Sequence, residues 1–65
     1  MRTKETGSAE EREAGAAFAR GQALEARGES RAALEAYERA VQLAPERTEY
    51  LYAAADLLVE TEPAE

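Results

Sequence analysis

Apolar residues recur at three- and four-residue steps through the middle of the chain. In RAALEAYERAVQLA, residues 31–44, the residues Ala33, Leu34, Tyr37, Ala40, Val41 and Ala44 fall on one stripe, the spacing of a helix with a single buried face. Upstream, AEEREAGAAFARGQALEAR has Phe18 and Leu24 as its only large apolar groups, and small residues fill most other positions. Downstream, EYLYAAADLLVE carries two apolar faces: Tyr50, Ala53, Ala54 and Leu57 on one, Leu51, Ala55, Leu58 and Val59 on the other. No segment alternates apolar and polar residues as a half-buried strand would. The fold class is therefore all-α, with three helices.

The punctuation between these segments sets their expected bounds at about 9–27, 31–44 and 48–61. Residues Met1 to Gly7 are polar with nothing to bury, which predicts a disordered lead-in to a helical domain over 8–62. Ser8 and Glu11 have capping-box spacing, and Glu10, Glu11 and Glu13 suit the positive end of a helix dipole. Gly28 stands where a helix ends in a left-handed residue, with Glu29 and Ser30 available to cap the second helix. Pro45 stops the second helix, Thr48 is the expected N-cap of the third, and Pro63 opens an acidic tail over 63–65. Connections this short make sequential helices antiparallel neighbours, stacked up, down and up.

The segment from Ala14 to Glu46 resembles a tetratricopeptide repeat. Gly21, Leu24, Gly28, Ala33, Tyr37, Ala40 and Pro45 stand at that family's spacing. Ala17 stands where the family prefers Trp and Arg20 where it prefers Leu, so the first helix is packed more thinly. Apart from the family, small residues at 21, 33 and 40 let two backbones approach while Leu24 and Tyr37 fill the space between them. A shift of thirty-four residues aligns Ala17 with Leu51, Phe18 with Tyr52, Gly21 with Ala55 and Leu24 with Leu58. The third helix thus resembles the first helix of a second repeat, placed as a C-terminal capping helix on the hairpin.

Composition narrows the function. The 65 residues carry a net charge of −6 from 8 Lys and Arg against 14 Asp and Glu, without the basic face that nucleic-acid binding needs. With no His and no Cys, and with Ser8 and Ser30 reading as caps, neither a catalytic constellation nor a metal or cofactor site is expected. A small-molecule substrate is not expected either. No apolar run is long enough to span a bilayer, and nothing resembles a secretory leader, so a cytoplasmic protein is expected. Usage rich in Ala and Arg and poor in Lys fits a bacterial source.

The function left standing is protein binding, by an adaptor or scaffold. The family resemblance implies a concave contact face that includes Phe18, Gln22 and Glu25 from the first helix and Tyr52 and Asp56 from the third. This face is aromatic and acidic, which suits a basic or amphipathic peptide or protein. Phe18 and Tyr52 serve equally well as packing between helices or in a dimer seam, and the carboxylates as a solvated face. The alternative is self-assembly as a homodimer or larger homo-oligomer. Leu51, Ala55, Leu58 and Val59 would face a helix the chain lacks, and an open apolar stripe on so small a protein marks an interface.

Overall fold

The computed structural model describes the backbone of residues 2–61 and the side chains of residues 9–61. Its three helices are, in chain order, α1 Arg2–Ala26, α2 Ser30–Leu43 and α3 Thr48–Thr61. The central α2 packs against both neighbours, as antiparallel elements joined by short turns must. The acidic tail lies outside the described residues. Among the described residues, no helix is long and apolar enough to cross a membrane.

The helix starts differ from expectation in instructive ways. α1 begins at Arg2, so residues 2–7, expected as a lead-in, are helical. Arg, Lys and Glu are good helix formers and no proline interrupts them; the interior Gly7 costs only about 1 kcal/mol. Ser8 therefore sits inside the helix and is no N-cap, and Glu10, Glu11 and Glu13 lie two or more turns from the helix start. Glu11 instead reaches Arg47 at 4.0 Å, and Arg47 also meets Glu49 at 3.6 Å. Both pairs are exposed and contribute little to stability.

At the other end of α1, Gly28 adopts φ +83. Its N–H donates to the Glu25 carbonyl at 3.0 Å and the Glu29 N–H to the Leu24 carbonyl at 2.9 Å. This paired closure is a Schellman motif, and its left-handed residue favours glycine. No side chain caps α2: the Glu29 backbone carbonyl accepts the Ala33 N–H at 2.9 Å, and Ser30 is already helical. Thr48 is likewise the first residue of α3 and makes no side-chain capping bond; the Arg47 carbonyl accepts the Tyr50 N–H at 3.2 Å.

The core is thin because most of it is alanine. Ala14, Ala33, Ala40, Ala44 and Ala54 are buried, leaving Tyr37, Tyr50 and Leu57 as the large buried groups. Alanines bring backbones together without filling much space, so these three side chains carry a large share of the packing. Gly21 allows the closest approach. A Cβ there would lie 2.5 Å from two ring carbons of Tyr37 and 3.2 Å from the Ala33 carbonyl oxygen.

Candidate functional site

The exposed large hydrophobic side chains among the described residues all lie on α3. Tyr50, Ala54 and Leu57 turn inward and are buried, with Ala53 packed beside them. Turning about 100° per residue, the opposite arc runs from Leu58 through Leu51, Ala55 and Val59 to Tyr52. Leu51 is 48% exposed, Tyr52 66%, Leu58 41% and Val59 75%. Ala55 between them is exposed too. The arc then passes into carboxylates, Asp56, Glu49 and Glu60, all exposed. One helix thus carries an apolar strip with an acidic flank and no cation.

The residues expected on the concave face divide. Phe18 is half-buried where the three helices meet, its ring centroid 5.3 Å from that of Tyr37 on α2 and 4.8 Å from that of Tyr50 on α3. Tilted aromatic contacts at these distances are favourable packing. It fills space left by the thin α1 and offers only part of its ring to solvent. Glu25 accepts a 2.7 Å hydrogen bond from the Tyr37 hydroxyl, which ties the end of α1 to the middle of α2. Burial, this bond and the Glu25 charge together push the Tyr37 hydroxyl up to about 12, because each disfavours the tyrosinate. Gln22, Tyr52 and Asp56 are exposed, as is Glu25 despite this bond.

A second open feature is a groove of about 670 Å³ between α1 and α2. It is lined by Ala16, Ala17, Ala32 and Ala36, with Leu24 and Leu43 toward its ends and the exposed Glu13, Arg20, Glu35 and Arg39 at its rim. No α3 residue lines it, so it lies on the hairpin flank that α3 leaves uncovered. Sequence reasoning did not assign this groove, although its signal was present. Ala17 and Arg20, which replace the large apolar residues the repeat pattern prefers, are both in its lining.

No curated protein and no solved structure matches the chain. The family model described as tetratricopeptide repeat matches residues 14–57, from the buried Ala14 of α1 to the buried Leu57 of α3. That span contains the second half of α1, all of α2 and most of α3. Repeats of this kind generally mediate protein–protein interaction. The chain belongs to the tetratricopeptide repeat family.

Proposed function

We propose that this chain is an interaction module that works through the outer face of α3, docking an amphipathic helical surface of a protein partner. The observation that carries the reading is the exposed strip of Leu51, Leu58 and Val59, bordered by Tyr52. A helix seated there would bury apolar area at roughly 25 cal/mol per Å² of surface removed from water. Small residues such as Ala55 let its backbone approach closely. The acidic flank of Asp56, Glu49 and Glu60 sets the preference for a partner with basic residues beside its apolar strip.

A peptide lying across the concave face is the narrower reading. Phe18 is packed against Tyr37 and Tyr50 and the exposed Glu25 already accepts from the Tyr37 hydroxyl, which leaves Gln22, Tyr52 and Asp56 as its uncommitted contacts. Tyr52 and Asp56 belong equally to the α3 surface, so they extend that surface instead of requiring a separate one.

The test is fluorescence anisotropy with a labelled helical peptide carrying leucines at i, i+4 and i+7 and lysines on one flank. Binding is expected with the natural chain and loss of binding with Leu51→Glu/Leu58→Glu, whose helix content should be unchanged by circular dichroism. Binding that survives this double substitution would place the contact elsewhere.

A further inference from the structure

We infer that the surface seated against α3 is supplied by a second copy of this chain, and that copies join head to tail. The outer face of α3 in one copy enters the groove between α1 and α2 of the next. This rests on the reading of α3 as the working surface and names its partner.

Shape supports the pairing. Four of the residues that line the groove are alanines, which allow a third helix to approach two others closely. Along α1 it extends from Glu13 to Leu24, about 17 Å at the helical rise, and the strip from Leu51 to Val59 is about 12 Å. The strip therefore fits within the groove, with Leu24 and Leu43 available as apolar contacts toward its ends.

Charge decides between this arrangement and a symmetric one. α3 bears Glu49, Asp56 and Glu60 and no Lys or Arg, so two α3 helices facing each other would bring like charges together. The groove offers Arg20 and Arg39, neither of which forms an ion pair among the described residues. Glu13 and Glu35 share that rim, so it presents both signs where a second α3 presents one. Because strip and groove are unlike surfaces on opposite flanks, the contact is heterologous. Pairing two copies leaves one strip and one groove open, and assembly continues.

Sedimentation velocity on two charge-reversed chains tests this: Arg20→Glu/Arg39→Glu in the groove and Asp56→Lys/Glu60→Lys on α3. All four positions are exposed, and circular dichroism should show unchanged helix content. The natural chain is expected to gain mass beyond the dimer as concentration rises. Each variant alone should associate at least about tenfold more weakly, and an equimolar mixture should recover mixed assemblies, since each supplies the charge the other reversed. A natural chain that stops at the dimer, with the groove variant unaffected, would overturn the head-to-tail contact in favour of a symmetric one. A natural chain that stays monomeric while binding the helical peptide would overturn self-pairing but leave the α3 surface standing. Loss of both activities would remove the surface itself.

Discussion

Leu57 and Leu58 are consecutive on α3, yet Leu57 is 1% exposed and Leu58 41%. The first closes the core against Ala33 and Tyr37, and the second lies on the open strip. Residues one apart on a helix point about 100° away from each other, so one helix serves both surfaces. Truncation should separate the two roles. Leu57→Ala is expected to cost about 2–5 kcal/mol. That is much of the roughly 3–10 kcal/mol a domain of this size possesses. Leu58→Ala should stay within about 0.5 kcal/mol. Urea denaturation monitored by circular dichroism, at concentrations too low for association, measures both. Equal losses for the two variants would contradict the inward and outward assignment.

Gly21 admits the Tyr37 ring because it lacks a Cβ. Gly21→Ala gains about 1 kcal/mol of intrinsic helix propensity. It also places a methyl group 2.5 Å from a ring held by Phe18 on one side and by the Glu25 hydrogen bond at its hydroxyl. Overpacking of this kind costs about 1–3 kcal/mol, so a net loss of roughly 1 kcal/mol is expected. A stabilised Gly21→Ala chain in thermal denaturation would show that the ring moves aside freely.

Tyr37 also sets an alkaline limit on stability. Its hydroxyl is raised to about 12 in the folded chain from 10.0 for an ordinary tyrosine. The unfolded chain therefore loses this proton first, and above pH 10 it binds fewer protons than the native chain. Stability from this group is complete below pH 10 and falls as pH rises toward about 12. Denaturation of the natural chain should weaken across that window more steeply than that of Tyr37→Phe, which has no hydroxyl to titrate. Parallel profiles for the two chains would contradict the assignment.

The hairpin was legible in the sequence because its determinants are local. Gly28 needs a left-handed conformation, Pro45 cannot continue a helix, and the α2 stripe from Ala33 to Ala44 repeats at helical spacing. The two faces of α3 arise from the same periodicity. Features that depend on contacts between helices were not legible. Phe18 could be placed on a face of α1, but its contacts with Tyr37 and Tyr50 require knowing how three helices converge. The hydrogen bond from Tyr37 to Glu25 joins residues twelve apart across a turn, beyond the reach of spacing rules. The start of α1 was misplaced because a polar segment can be helical without burying anything. Departures from the repeat pattern at Ala17 and Arg20 signalled thin packing, while the groove they line became visible only with α2 beside them.

The most direct test of α3 as the working surface is a map of backbone amide signals by nuclear magnetic resonance as the helical peptide is added, with a dilution series of the free chain beside it. The expected result is movement of Leu51, Ala55, Leu58 and Val59 with peptide, and of the same amides together with those of Ala17 and Ala36 with concentration. Peptide-induced shifts confined to Gln22 and its neighbours on α1, with the α3 amides unmoved in both series, would contradict it.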